Sequence, residues 1–319
     1  MATYKGISGF NIKSLATDPS NLLEGEIWYN STSGTLKVAP LVRAWASGGA
    51  LSPGIEGTAG CGIQTAALMA AGNNGSGATD ASQEYNGSSW TAGGTMATAA
   101  TGNAAAGILT AAITMGGEPM PTRSTLSEEY NGSAWTAGGA LNNGRAMGAG
   151  AGTQTATLFF GAFDGSTTYA YTESYNGASW TSENTLTTPT RQLAGAGTAT
   201  AGLAAAGYNG TAITAVSEEY NGTSWTAGNS LNTARSKLSG DGLQTAAFVV
   251  GGDTGSASAA MEEYDGTDWT TSPASLGTAR ATLAAAGTTT LALAFGGDPA
   301  MTNTEEYTAA ATAQTVTTS

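Results

Sequence analysis

The sequence predicts an all-β fold: a six-bladed β-propeller of four-stranded blades, preceded by a small N-terminal β-hairpin segment. Three observations predict it. Trp recurs at positions 45, 90, 135, 180, 225 and 269, in steps of 45 or 44 residues. Tyr recurs at 85, 130, 175, 220, 264 and 307, and Gly at 62, 107, 152, 197, 242 and 287. Each interval holds short runs separated by Gly and Asn-Gly, the pattern of strands and turns. Four strands in about 45 residues is the size of one propeller blade.

The elements follow in order. Residues 1–40 precede the repeat and are expected to be a separate segment, either for attachment or oligomerisation, as the resemblance given below implies, or a cap over the propeller's central opening or closure strand. Within it, Gly25–Val38 reads as a hairpin, with Ile27, Tyr29, Leu36 and Val38 alternating against polar neighbours. Residues 41–309 hold the propeller, and 310–319 are a C-terminal tail. In a typical unit, Ala104–Gly107 is a small-residue strand for the crowded axis, and Thr110–Met115 is an apolar strand. Ser127–Tyr130 is the third strand, Asn131-Gly132 a type I′ hairpin turn, and Ala134–Thr136 the fourth strand. Strand two also supplies larger groups for packing between blades, such as Leu158, Phe159 and Phe160.

The phase of the repeat predicts how the ring closes. Trp45 has no Glu-Glu-Tyr strand before it, whereas Glu305-Glu306-Tyr307 has no Trp after it. The N-terminal strand is therefore expected to complete the last blade, a one-plus-three closure that hides two sheet edges.

Composition excludes several functions. The 319 residues include 47 Gly, only 10% charged residues, one Cys and no His, and the net charge is −13. Ten scattered cations cannot offer the basic stripe that a nucleic-acid backbone requires. Without His, the commonest general base and zinc ligand are missing. Cys61, between glycines, is expected to be a small buried residue. No cofactor or metal site is predicted. The start of the chain has no apolar signal region, and no apolar stretch approaches a membrane span of about 18 residues. The expectation is a chain made in a cytoplasm, without membrane insertion.

The repeat resembles the kelch family. The matching features are Gly-Gly after strand two (Gly116-Gly117, Gly251-Gly252, Gly296-Gly297), a Glu-x-Tyr segment, a following Trp, and an Arg opening the next unit (Arg145, Arg191, Arg235, Arg280). The glycine pair is imperfect at Ala71-Gly72, Gly161-Ala162 and Ala206-Gly207, and Tyr-to-Trp spacing is shorter than usual for the family. The wording of Gly25–Val38 looks like segments of bacteriophage tail-fibre and other virion proteins. That resemblance implies a virion location, reached by lysis, with other virion structural proteins as partners of the N-terminal segment and many copies per particle.

Recurrent residues describe the scaffold. The Glu two places before each Tyr (Glu128, Glu173, Glu218, Glu262, Glu305) is expected to bond backbone or an Arg in the neighbouring blade, and the adjacent Glu to be solvated. The four arginines are expected to pair with a blade Glu or a loop carbonyl. The Asn-Gly-Ser/Thr sequences at Asn74, Asn86, Asn131 and Asn221 are explained by turns.

What varies is more informative. The segments between strands two and three differ in every unit: Asn73–Ser82, Glu118–Leu126, Phe163–Tyr171, Tyr208–Ala215, Asp253–Ala260 and Asp298–Asn303. Variable loops on a rigid ring are where binding is usually placed. Arg123, Phe163, Asp164, Tyr169, Tyr171 and Tyr208 are the bulky groups there and the candidate ligand-binding residues, suited to sugar stacking or protein contact. The functional expectation is a non-enzymatic tail-fibre or spike component that binds the host surface, a glycan or a protein. The alternatives are a capsid or tail decoration protein with no host ligand and, with less support, a glycan-degrading hydrolase.

Overall fold

The computed structural model describes residues 12–118 and 123–316. The expectation for the first eleven residues, part of the loop Glu118–Leu126 and the last three residues lies outside them. The described residues are all-β. The chain divides into two compact units, Met1–Ala44 with Thr308–Ser319, and Trp45–Tyr307.

In chain order the strands are β1 (Lys13–Leu15), β2 (Ile27–Asn30), β3 (Thr35–Val38) and β4 (Leu41–Ser47). Next come β5 (Ala59–Ile63), β6 (Ala66–Asn73), β7 (Ala78–Tyr85) and β8 (Trp90–Ala92), then β9 (Ala104–Ile108), β10 (Ala111–Met115), β11 (Ser127–Tyr130) and β12 (Trp135–Ala137). The third set is β13 (Ala149–Thr153), β14 (Ala156–Phe160), β15 (Thr172–Tyr175) and β16 (Trp180–Glu183). The fourth is β17 (Ala194–Thr198), β18 (Ala201–Tyr208), β19 (Ile213–Tyr220) and β20 (Trp225–Ala227). The fifth is β21 (Ser239–Leu243), β22 (Ala246–Val250), β23 (Met261–Tyr264) and β24 (Trp269–Thr271). The chain ends with β25 (Ala284–Gly287), β26 (Leu291–Phe295), β27 (Thr304–Ala311) and β28 (Gln314–Thr315).

These strands make seven four-stranded sheets, not six sheets and a hairpin. Five are consecutive meanders, from β5–β8 to β21–β24, and the sixth has the order β25-β26-β27-β4. The seventh is β1-β2-β3-β28. It contains the expected hairpin, with Ile27 opposite Val38 and Asn30 opposite Thr35. It adds β1, parallel to β2, and β28, antiparallel to β3. The residues expected as a C-terminal tail, 310–319, therefore include the strand β28.

The buried face of β2 is also the other one: Trp28 and Asn30 are buried, while Ile27 and Tyr29 are exposed. Asp18 is the reason. Its Oδ1 accepts from Trp28 Nε1 at 3.0 Å and Asn30 Nδ2 at 2.7 Å, satisfying two buried donors with one charged acceptor.

Within Trp45–Tyr307 the sheets stand in cyclic order, an arrangement consistent with a β-propeller. First strands pack side by side, β5 on β9, β9 on β13, β13 on β17, β17 on β21, β21 on β25 and β25 on β5. Ala and Gly dominate these strands because six strands converge on one axis. A Cβ at Gly150 would meet the Ala105 carbonyl oxygen at 2.8 Å.

A ring of six backbone hydrogen bonds binds the crossovers at one end of the axis. Gly102 N–H donates to Gly57 C=O, Met147 to Gly102, Gln192 to Met147, Lys237 to Gln192, Thr282 to Lys237 and Gly57 to Thr282, all within 2.7–2.9 Å. Every member has positive φ, between 52° and 64°. Four of them are not glycine, and the left-handed conformation costs about 1–2 kcal/mol for each L-residue.

Each sheet is also pinned to its neighbour. The third-strand Tyr hydroxyl donates to a Glu of the preceding sheet: Tyr130 to Glu84, Tyr175 to Glu129, Tyr264 to Glu219, Tyr307 to Glu263 and Tyr85 to Glu306. The fourth sheet breaks the pattern because Ser174 stands where the others have the second Glu, and Tyr220 reaches Glu183 at 3.4 Å. The second Glu of each pair, expected to be merely solvated, is thus an intersheet acceptor. Fourth-strand Trp rings tilt against the same tyrosines, with centroids 4.8–5.2 Å apart. Second-strand side chains complete the core between sheets, as where Leu158 and Phe160 join Leu193, Tyr220 and Trp225.

The hairpin turns differ from the two-residue type expected. Tyr85 pairs with Trp90, which leaves four residues in the connection, and Gly87 alone has positive φ. Asn86 holds it through Oδ1, which accepts from Ser88 N–H at 3.0 Å and Ser89 N–H at 2.9 Å.

Candidate recognition site

The first Glu of each pair serves the crossover that opens its own unit, not a neighbouring blade. Glu173 accepts from Asn142 N–H at 2.8 Å, Glu218 from Thr187 N–H at 2.7 Å, and Glu262 from Asn232 N–H at 2.7 Å. Arg145, Arg235 and Arg280 add ion pairs to Glu173, Glu262 and Glu305 respectively, all inside the fold. Burial pulls these guanidinium pKa values down, and the paired carboxylate opposes that shift. Cys61 is buried, and burial pushes its thiol pKa up, away from a reactive thiolate.

Arg191 does not belong to that set. Steps of 45 from Arg145 arrive at Thr190, which is buried, and Arg191 lies one residue beyond. The shift turns its side chain out of the unit and into the variable loops. Its guanidinium carbon lies 3.9 Å from the centroid of Phe163 and 4.9 Å from that of Tyr208. Among the described residues, Arg191 has no salt bridge to a carboxylate, unlike Arg145, Arg235 and Arg280.

The surrounding backbone fixes this stack. Phe163 bridges Ala146 on one side and Thr168 on the other, and Arg191 bridges Tyr208. The Arg123 guanidinium carbon lies 5.5 Å from the same Phe163 ring while its Nη2 pairs with Glu118 at 2.9 Å. Arg123, Phe163, Arg191 and Tyr208 therefore form one cation–π row across three successive units. Beside it opens a cleft of about 430 Å³, lined by Phe163, Arg191 and the polar groups of Ser166, Thr167, Asn209 and Thr211.

The other three candidates form a second cluster on the same loop. Tyr169 and Tyr171 stack with centroids 4.4 Å apart and planes 11° from parallel. The Tyr169 hydroxyl donates to Asp164 Oδ2 at 2.8 Å. Asp164 Oδ1 accepts from the Ser166 and Thr167 N–H groups, both at 2.8 Å. Those N–H groups, Thr167 first, hold the Asp164 carboxyl well below the usual carboxylate range. Asp164 is thus committed to its own loop, and Tyr171 is the exposed ring of the pair.

Five of the six predicted residues lie in the loops, whereas Tyr208, expected to open the variable segment Tyr208–Ala215, is the last residue of β18, because it pairs with Ile213 and extends the ladder. The six fall into two groups. Sequence reasoning missed Arg191 as the centre of the first group, although counting its phase against Arg145 would have found it. Among the described residues no three His, Cys, Asp or Glu side chains are grouped to hold a metal ion, and no helix is long and apolar enough to cross a membrane.

No family model matches the chain, and no curated protein matches it. Among solved structures the chain is similar to that of YjhT, with 11% sequence identity and a TM-score of 0.66, over 84% of this chain and 100% of that one. At that identity the likeness shows the fold, an all-β propeller-like arrangement, and nothing about activity.

Proposed function

We propose that the chain is a non-enzymatic recognition protein whose loop face binds an anionic glycan on a host surface. The observation that carries this reading is Arg191, its guanidinium over the rings of both Phe163 and Tyr208 at the wall of a cleft, with no carboxylate partner among the described residues. A guanidinium held by rings keeps its planar donors available for a carboxylate, sulfate or phosphate group. The hydroxyl and amide groups beside it suit sugar hydroxyls, and the exposed Tyr171 ring offers a stacking surface.

The scaffold in this reading is a six-bladed kelch-like propeller, with β4 completing the last blade. Supporting it are the cyclic order of six sheets, the ring of backbone hydrogen bonds, and positive φ at both positions of all six Gly-Gly equivalents, including Ala71, Ala162 and Ala206. The likeness of the Gly25–Val38 segment to virion proteins supports a bacteriophage location, as a tail-fibre or spike component present in many copies. Weak single sites then gain strength through avidity.

The test is binding of the intact chain to an array of neutral and acidic glycans. Acidic glycans are expected to be retained, and Arg191→Ala to reduce their binding about tenfold or more without unfolding the protein. Retention of no glycan, or equal binding by the variant, would overturn the reading and favour a decoration protein without a host ligand.

A further inference from the structure

A second cavity, of about 340 Å³, opens at the ring of positive-φ residues on the axis. Its walls are unequal. Leu193, Leu238 and Leu283 stand at equivalent positions in three successive units and make one side apolar. On the other side the equivalent positions are Thr58 and Asn103, beside Glu56. Lys237 stands on the rim, its Nζ 3.5 Å from Asp253 Oδ2, with both side chains about one-third exposed (34% and 32%), a loose pair. Burial, and then the neighbouring Asp298 carboxylate, push the Glu56 carboxyl pKa up, and the charge of Lys237 opposes that shift, so Glu56 and Asp298 act as one acidic pair.

The rim residues are unusual for their conformation. Gly57 and Gly102 show that glycine meets the same backbone requirement, yet Met147, Gln192, Lys237 and Thr282 take its place. A fold that needed only the hydrogen-bonded ring could place glycine at all six positions. Side chains kept at a strained backbone around a cavity are the kind of outlier from which a functional site is inferred. A cavity of a few hundred Å³ with an apolar wall and a few polar groups has the form of a small-molecule site.

We propose that the axial mouth binds a small zwitterion with an apolar arm, of the size and class of a free aliphatic amino acid. Lys237 receives the carboxylate, Glu56 the ammonium, and the arm lies on Leu193, Leu238 and Leu283. Two opposite charges on one rim exclude a ligand that satisfies only one of them, because the other would be left facing a partly desolvated neighbour. The site is separate from the Arg191 cleft and does not depend on the glycan reading.

Titration calorimetry with the full chain tests this, using L-leucine and L-methionine as probes and N-acetyl-L-leucine and L-leucinamide as controls. Both amino acids are expected to bind with a Kd below about 10 mM, and each control, lacking one charge, to bind at least about tenfold more weakly. Lys237→Gly suits the local backbone, so it is expected to keep or raise the melting temperature while weakening L-leucine about tenfold or more. Glu56→Gln, which keeps its shape, is expected to weaken it comparably. Absence of binding by both amino acids, undiminished binding of N-acetyl-L-leucine, or full affinity in either variant overturns the proposal.

Discussion

Arg235 and Arg191 are both arginines at the opening of a unit, and they lie in opposite kinds of region. Arg235 occupies the repeated position. Its Nη2 meets Glu262 Oε1 at 2.7 Å, and Nη1 donates to the Ala260 and Gly251 carbonyls at 2.8 and 3.3 Å. Arg191, one residue out of phase, faces Phe163 on a variable loop and Tyr208 at the end of β18. Residues in phase close the scaffold's own hydrogen bonds, and residues out of phase are left over for chemistry. The comparison teaches that in a repeat protein the register of a side chain, not its type, assigns its role.

The largest effect should come from breaking the in-phase pair. Arg235→Ala leaves the Glu262 carboxylate buried with its charge uncompensated, and is expected to cost about 3–5 kcal/mol of stability. Arg191→Ala removes ring stacking from a part-exposed loop and is expected to cost about 1 kcal/mol or less. Urea unfolding of the two variants side by side measures the difference. Similar losses would show that Arg191 is also part of the frame.

Asp241 is a second exception to the repeat, and sharpens the comparison at the axis. The equivalent residues are Cys61, Ala106, Ala151, Ala196 and Ala286. Asp241 lines a small cavity of about 60 Å³ together with several of these, and burial pushes its carboxyl pKa up to about 7, although N–H groups of Gly242 and Gly287 pull the other way. A carboxyl whose folded pKa lies above its unfolded value near 3.8 binds more protons when folded. Its contribution to stability is therefore full below the unfolded pKa and is lost as pH rises towards 7. The bound is about 4 kcal/mol, reduced by any water entering the cavity. Melting temperature should fall between about pH 4 and 7, and Asp241→Asn should flatten that slope. An unchanged slope in the variant would assign the dependence to other carboxylates.

The repeat was legible because strand lengths and turns impose a spacing that survives in Trp, Tyr and Gly. The Ala-rich first strands, the larger apolar groups of the second strands and the seam at Trp45 could all be read from it. Other features depend on distances that a linear pattern does not encode. The pairing of Gln314 with Val38 joins the two ends of the chain, and no local signal in a threonine-rich tail announces it. The face of β2 was misread because Asp18, ten residues earlier, makes Trp28 and Asn30 the satisfied inner residues. The turns were misread because an Asn side chain can replace the backbone bond that a two-residue turn would make. At the candidate site the residue types were visible in the variable loops. Their division into an Arg–aromatic row and a self-contained Asp164–Tyr169–Tyr171 cluster was not, because it depends on side-chain direction.

The smallest predicted effect compares a regular link between sheets with an irregular one. Tyr175 donates to Glu129 at 2.6 Å, whereas Tyr220 reaches its substitute partner Glu183 only at 3.4 Å. A hydrogen bond to a charged acceptor contributes about 1.5–3 kcal/mol when buried, and partial exposure lowers that here. Tyr175→Phe should cost about 1 kcal/mol, since the ring still packs on Trp180 while Glu129 loses a donor. Tyr220→Phe should cost about half as much, because a bond of 3.4 Å is near the limit of useful geometry. Glu183 also keeps its contact with Ser174 Oγ at 2.6 Å. Thermal unfolding of the two variants ranks them. The reverse order would mean that Glu183, though borrowed from the fourth strand, carries the intersheet link as strongly as the repeated glutamates.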